Sequence, residues 1–392
     1  MTIYRSALVV PILAWAAACG GNGGHSSRPA VVATATPTLT ASATPAPTPT
    51  AAAVLGFAAG GILASRSEDG GAAWRDALAT NTTLWGVDFV DRSTGWVVGT
   101  RHIFRTETGG QDAAAWEDQS PNIIGKAPDL YDVAFRDRDH GIAVGAGDAT
   151  TTKVGASVLV TSDGGAEWRP VTVPMRAARD GLWLRHVCLT PQGQAIAVGN
   201  STTTTRPVTL RTRDSGETWS DVTAAVGFLI GANGNPLLTG CSFRESADAW
   251  VTAAPSLLAV SRDGGDTWER VSLDSATNVE PLAVLFVDHE HGWVCGFDRA
   301  GQQIVVFTTT DGGDSWQSQR LLPVDVDPEH LPFASFAALD AASVVLVGTD
   351  PSSPALEGNR PFSFTSGDGG RTWTPSTIPA AYTAFVDVVL VR

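Results

Sequence analysis

A short phrase recurs along this chain of 392 residues and limits what it can fold into. At Ser261–Trp268 it reads Ser-Arg-Asp-Gly-Gly-Asp-Thr-Trp, in general form S/T-x-D-x-G-x-x-W. The same frame stands at Ser67–Trp74, Thr161–Trp168, Thr212–Trp219, Thr309–Trp316 and Ser366–Trp373. A degraded copy starts at Thr106, has Thr108 in place of the aspartate and reaches its tryptophan, Trp116, three residues late. Asp, Ser and Thr side chains bond backbone amides two or more residues on and so close turns. Glycine supplies positive φ without a Cβ penalty, and the tryptophan caps the turn with apolar surface. The phrase therefore reads as a hairpin turn with its own small core. Asp69, Asp163, Asp214, Asp263, Asp311 and Asp368 are expected to close turns, and Trp74, Trp168, Trp219, Trp268, Trp316 and Trp373 to cover them. Equivalent catalytic acids spread around one domain would make little chemical sense, whereas repeated turns do.

The frame is identified as the Asp-box, or bacterial neuraminidase repeat. That resemblance implies a β-propeller with the box between the third and fourth strands of each blade. Sialidases, xyloglucanases, sortilin-type receptors and photosystem II assembly factors share it, so it leaves function open. Between boxes the sequence alternates with period two, bounded by Gly and Asp turns, as in Trp85–Phe89 followed by Gly95–Gly99. The opening pair recurs at Tyr131–Gly145, Leu184–Gly199, Leu238–Thr252, Leu282–Gly296 and Phe333–Gly348. Successive boxes lie 39 to 57 residues apart, a propeller period. The N-terminal piece Val54–Trp74 has a box without an opening strand, and the C-terminal piece Tyr382–Arg392 has an opening strand without a box. The expected fold is all-β: a seven-bladed β-propeller of four-stranded blades, spanning 54–392, in which the last strand completes the first blade and removes free edges.

The N-terminus is different in kind. Residues 1–18 carry Arg5 and a short apolar run, Ala7–Ala18, too short to span a membrane and readable as an export signal. The run ends Ala-Ala-Ala-Cys19-Gly-Gly, which resembles a bacterial lipobox and makes Cys19 the expected lipid-attachment site; ordinary secretion with cleavage near Ala18 is the alternative. Residues 19–53, rich in Thr, Pro and Gly, cannot bury enough apolar surface to fold and form a linker with stiff Thr-Pro runs. The protein is thus expected in the bacterial cell envelope, outside the cytoplasm, held by an N-terminal lipid. Net charge is −14, and no basic stripe is present, which argues against a nucleic-acid partner. Cys188, Cys241 and Cys295 are odd in number, lie in expected strands and read as small buried hydrophobes. Cys188 and Cys241 occupy strand positions of opposite parity, which argues against a bridge between them.

Two places invite function. The blade face opposite the boxes carries the long stretches Gly147–Ser157, Asn200–Val208, Asp350–Pro361 and the non-regular inter-blade stretch Ser220–Leu237. Trp183, Arg185, His186, Arg179 and Arg206 fall there and are the expected partner-binding residues, since Trp and Arg dominate binding hot spots. The alternative is that they are solvated loop residues with one packing Trp. The other place is the innermost strands, where Asp88, Asp132 and Asp387 lie. A glycosidase pair, Asp88 with Asp132, a cation site, or hydrogen-bonded structural acids are the three readings. Burial and hydrogen bonding of Asp88 and Asp132 would remove the first. His289-Glu290-His291 resembles a metal motif but aligns with other turn sequences and reads as a solvated turn, so no metal and no cofactor are expected. No nucleophile elbow, P-loop or dinucleotide fingerprint is present in the sequence. Sialidases usually carry an Arg-Ile-Pro signature before the first box and a Tyr nucleophile; the signature is missing here, and the globular tyrosines are Tyr131 and Tyr382.

The full unit, V-x-F-x-D-x-x-x-G-W-x-V-G and then I-x-x-T-x-D-G-G-x-x-W, is matched by Val87–Gly99 and Val284–Gly296 in its first half. Ser261–Trp268 and Thr309–Trp316 match the second. Over roughly 54–392 the chain resembles the photosystem II stability/assembly factor family. That resemblance implies a non-enzymatic, exported propeller, in bacteria often a lipoprotein. Photosynthetic members bind partners through a basic patch, and no patch residue can be matched in this acidic chain. The expected function is a monomeric binding or assembly scaffold for a protein or membrane complex. The alternatives are an Asp-box glycoside hydrolase of xyloglucanase or sialidase type and a carbohydrate-binding module with a glycan partner.

Overall fold

The computed structural model describes residues 54–123, 128–147, 157–174, 181–202, 206–230, 237–243, 247–273, 279–323, 333–350, 360–379 and 384–392. The signal, Cys19, the linker, Arg179 and Tyr382 lie outside the described residues.

The chain is all-β, built from small antiparallel sheets that run outward strand by strand. One sheet illustrates the unit: Leu237–Phe243, Ala249–Ala254, Leu257–Ser261 and Glu269–Val271, hydrogen-bonded in sequence order. The same order begins again at the inner strands Val279–Phe286 and Phe333–Ala338. It also begins at Asp129–Phe135 and Leu182–Leu189, whose sheets are joined by the pairing of Trp183 with Ala146. Second strands are buried along nearly their whole length, as in Ala249–Ala254 and Gly95–Gly99. Such strands are covered on both faces, which is why they read as continuous small apolar runs rather than alternating ones.

Aromatic rings fill the space between sheets. Trp96 stacks on Phe135 of the next inner strand with centroids 3.4 Å apart, and Trp250 stacks on Phe286 at 4.2 Å. The glycine that begins the second strand is required by the phenylalanine ending the first: a Cβ on Gly95 or Gly141 would lie 2.4 Å from the ring of Phe89 or Phe135.

The repeated phrase forms the turn its composition dictates. In the first copy the Ser67 hydroxyl donates to Asp69 Oδ1 at 2.7 Å and accepts from Gly71 N at 2.8 Å, while Asp69 Oδ1 accepts from Ala73 N at 2.9 Å. Gly70 and Gly71 sit at φ 71° and 93°. The copy at Thr212 has Ser215 at the first of these positions, and it adopts φ 61° despite its side chain. In the degraded copy Thr106 still accepts from Gly110 N. The three extra residues form a short 3-10 turn, Ala113–Ala115, capped by Asp112, which returns Trp116 to pack edge-on against Phe89.

The first and last described strands meet. Asp387–Val391 pairs antiparallel with Leu55–Ala59, from Leu55 opposite Val391 to Ala59 opposite Asp387, and so supplies an inner strand to the N-terminal sheet. Two expectations need correcting. The inter-blade stretch Ser220–Leu237 is not wholly irregular: Thr223–Ile230 is an α-helix whose Val226 is buried. And Cys188 and Cys241 form a disulfide, with Cα atoms 6.1 Å apart, while Cys295 is free and buried. The parity argument fails because the two cysteines belong to different sheets packed face to back. A side chain leaving one face of a sheet meets side chains leaving the opposite face of the next, so opposite parity lets them meet.

Two outcomes are expected. Deleting residues 387–392 should abolish the cooperative thermal transition followed by circular dichroism; a truncated protein melting like the parent would make that strand dispensable. Replacing Cys188 and Cys241 by Ser should cost about 3–4 kcal/mol, since the bridge closes a long loop of 53 residues. The shift in denaturant midpoint, reproduced in the parent by reductant, measures it.

Candidate functional site

The inner strands share a defect that creates a site. In five of them the ladder slips by one residue: between Leu84 and Gly86, Leu130 and Asp132, Leu184 and His186, Leu238 and Gly240, and Pro281 and Ala283. The residues left unpaired are Trp85, Tyr131, Arg185, Thr239 and Leu282. A β-bulge re-aims its side chain and bends its strand, and all five of these residues line one cavity of about 460 Å³. The cavity lies toward the starts of the inner strands, the sheet ends opposite the box turns.

Its wall is aromatic on one side. Phe333, Trp85, Tyr131 and Trp183 follow one another with ring centroids 5.7 to 6.2 Å apart. The Arg185 guanidinium lies 4.1 Å over the Trp183 ring. Trp183 is 37 % exposed, one of the two exposed large hydrophobics among the described residues, the other being Ile62. Burial works against the charge of Arg185, and among the described residues it forms no ion pair. Burial also raises the Tyr131 phenol, with the Asp129 charge adding to it, while neighbouring Arg185 acts the other way. Arg299 lines the cavity as well but is paired with Glu280.

The carboxylates face the same space with part of their bonding already used. Asp132 Oδ1 accepts from Val133 N and Oδ2 from Val187 N, both at 2.8 Å, and His186 Nδ1 lies 3.6 Å from Oδ2. Asp387 Oδ2 accepts from Val87 N at 2.9 Å and Oδ1 from the Ser335 hydroxyl at 2.8 Å. Asp88 is elsewhere. It is 4 % exposed, accepts from Phe89 N at 2.9 Å and Phe135 N at 2.6 Å, and does not line the cavity. The Asp88 and Asp132 pair weighed as glycosidase carboxylates is therefore not brought together, and both are hydrogen-bonded to backbone.

The remaining sequence candidates separate. Trp183, Arg185 and His186 converge on the cavity. Arg206 is exposed and away from it, with its carbonyl accepting from Ser201 N. The box aspartates are satisfied within their own turns; hydrogen bonds to the Thr or Ser four residues on hold Asp263, Asp311 and Asp368 down to about 2. Such groups are ionised at neutral pH and can donate no proton. His291 Nδ1 is 2.8 Å from Asp288 and His289 Nδ1 is 2.7 Å from Asp248, so the two histidines point to different acids. Among the described residues no group of His, Cys, Asp and Glu has metal-binding geometry. Sequence reasoning passed over Trp85 and Phe333. Aligning the inner strands at their closing Phe or Leu would have placed Trp85, Tyr131 and Arg185 at one position.

Burial pushes the Asp387 carboxyl up to about 7, the Asp132 charge adds to the effect, and the bonds from Val87 and Ser335 oppose it. The group touches cavity space but is enclosed by protein mass, which is what desolvates it. An unfolded aspartate titrates near 4, so between about pH 4 and 7 the folded state holds the extra proton. Its contribution to stability is fully present below pH 4 and is lost as pH rises through about 7. Asp387→Asn should remove that loss, leaving the variant's melting temperature falling less than the parent's between pH 5 and 8. Equal slopes would refute the assignment.

A family model described as "Photosynthesis system II assembly factor YCF48" matches residues 199–285. A curated relative, the photosystem II assembly lipoprotein Ycf48 of Synechococcus sp. (strain CC9902), is 31 % identical over 74 residues, covering 19 % of this chain and 21 % of its own. The matched segment thus spans about a fifth of that relative. Among solved structures, YCF48 from Cyanidioschyzon merolae superposes with a TM-score of 0.50 at 16 % identity, over 78 % of this chain and 88 % of that one. A structure titled "YCF48 bound to D1 peptide" gives a TM-score of 0.49 at 20 % identity over 76 % and 82 % of the two chains. With its box turns, its sheets and the fold likeness to the Cyanidioschyzon merolae structure, the chain is a BNR-repeat, propeller-type protein whose sequence over residues 199–285 is similar to the photosystem II assembly factor family.

Proposed function

We propose that this protein is a non-enzymatic binding or assembly scaffold that docks a protein partner on the cavity face. The observation carrying this reading is the convergence of Trp183, Arg185 and His186 on one cavity, with an exposed tryptophan stacked on an unpaired arginine at its wall. Aromatic and Arg anchors of this kind dominate binding energy at interfaces. The similarity to assembly factors over residues 199–285 points the same way. In this reading seven blades close by the pairing of Asp387–Val391 with Leu55–Ala59, which leaves no free inner edge. Residues 1–18 are the export signal, Cys19 carries the lipid and 19–53 form the spacer before the propeller, 54–392. The disulfide supports export, because such bonds persist in oxidising compartments.

Glycoside hydrolysis is the second reading, through a different pair from the one the sequence suggested. Asp387 holds its proton to near neutrality beside Asp132 in a cavity with aromatic walls, the division of roles a general acid and its partner need.

In-cell cross-linking of the tagged protein tests both. The expected result is capture of one membrane-protein complex, reduced at least about tenfold by Trp183→Ala or Arg185→Ala, as for hot-spot residues, and unchanged by Arg206→Ala. Loss of capture in none of these variants would place docking elsewhere. Polysaccharide hydrolysis by the parent that disappears in Asp387→Asn would replace the scaffold reading with the enzymatic one.

A further inference from the structure

The cavity holds a guanidinium and two carboxyl groups that form no ion pair with it among the described residues. Arg185 lines it without an ion-pair partner among the described residues, and its buried Nε has no hydrogen-bond partner there. Asp132 and Asp387 line it too, and neither lies within ion-pair distance of Arg185, since neither forms a bridge with it. The other basic groups are accounted for: Arg299 is held by Glu280, and His186 sits beside Asp132. Each carboxylate oxygen has one protein donor and room for a second, because a carboxylate oxygen offers two lone pairs.

Leaving an arginine and an aspartate carboxylate desolvated and apart is costly in the empty protein, and Asp387 avoids the same cost by keeping its proton. One guest satisfies both: a molecule carrying an ammonium and a carboxylate a few bonds apart. The neighbouring surface is apolar, with Trp85 and Phe333 on one side and Leu237, Leu282 and Val386 on the other. About 460 Å³ is within the range of small-molecule sites.

We propose that the cavity binds a free α-amino acid with an apolar side chain. Its carboxylate meets the Arg185 guanidinium, its ammonium meets Asp132 and Asp387, and its side chain lies against Trp85 and Phe333. Trp183, whose ring lies 4.1 Å from the guanidinium, holds Arg185 at the cavity wall where a ligand carboxylate can reach it. Arriving as an ammonium, the ligand supplies the counter-charge that Asp387 lacks and displaces its proton into solvent. The proposal rests on the cavity being the binding site and is independent of which protein docks over it.

Calorimetric titration of the purified full-length protein tests it, with L-leucine, L-phenylalanine and L-tryptophan as probes. Phenethylamine and 3-phenylpropionate, the phenylalanine skeleton with one charge removed, are the controls. At least one amino acid is expected to bind in the millimolar range or tighter, and phenylalanine at least about tenfold more tightly than either control, as two charge-assisted contacts require. Arg185→Gln should bring phenylalanine down to the amine's affinity, and Asp132→Asn to the acid's. Arg185→Lys, which keeps the charge, should retain part of the preference even if the Asp132 variant does not fold. Failure of all three amino acids to bind, or equal binding of a single-charge control, would overturn the proposal. Neither result would bear on cross-linking capture, so failure here and failure of the scaffold reading are separable.

Discussion

Among the described residues no backbone ladder pairs one inner strand with the next, so these strands must be joined by side chains. Three carboxylates do this in the same way. Asp387 accepts the amide of Val87, Asp88 that of Phe135, and Asp132 that of Val187, each on the next inner strand. The step from Leu182–Leu189 to Leu237–Phe243 is made covalently by Cys188 and Cys241. The following step uses Ser242, whose hydroxyl accepts from Phe286 N, and Thr239, whose hydroxyl donates to the Pro281 carbonyl. Ser335 donates to Asp387, joining the last full sheet to the C-terminal strand. A buried carboxyl group is tolerable only when its oxygens are so bonded. The acids that looked like chemistry in the sequence are first of all ties between inner strands.

That structural duty shapes the cavity. Asp132 and Asp387 cannot move far without releasing a neighbouring strand, so they present fixed oxygens to whatever enters. Asp88, two positions closer to the strand end in the common register, is buried and does not line the cavity. The bulges add the other half of the site, because each slips the ladder by one residue and turns an otherwise paired side chain toward the cavity. A rigid frame with re-aimed side chains suits recognition, where fixed geometry lowers the cost of binding.

How much was legible in the sequence depended on range. The box turn was fully readable, because Ser67, Asp69, Gly71 and Ala73 bond within four residues of one another. The convergence of Trp183, Arg185 and His186 was partly readable, since they share one strand. Asp387 and Asp132 were recognised as inner-strand acids, but their meeting in one cavity was not. They lie far apart in the sequence and come together only because the terminal strand pairs with Leu55–Ala59. The disulfide was misread for a related reason: parity within a strand describes one sheet, and the bond spans two.

By itself the sequence determined the repeat, the turn chemistry and the all-β class, since all of these follow from local bonding and from period. The tertiary structure decided which acids are ties and which face open space, which cysteines join, and where the bulges place Trp85, Tyr131 and Arg185. Those outcomes depend on how faces of separate sheets stack and how a ladder slips, and neither is encoded in the spacing of residues along one strand.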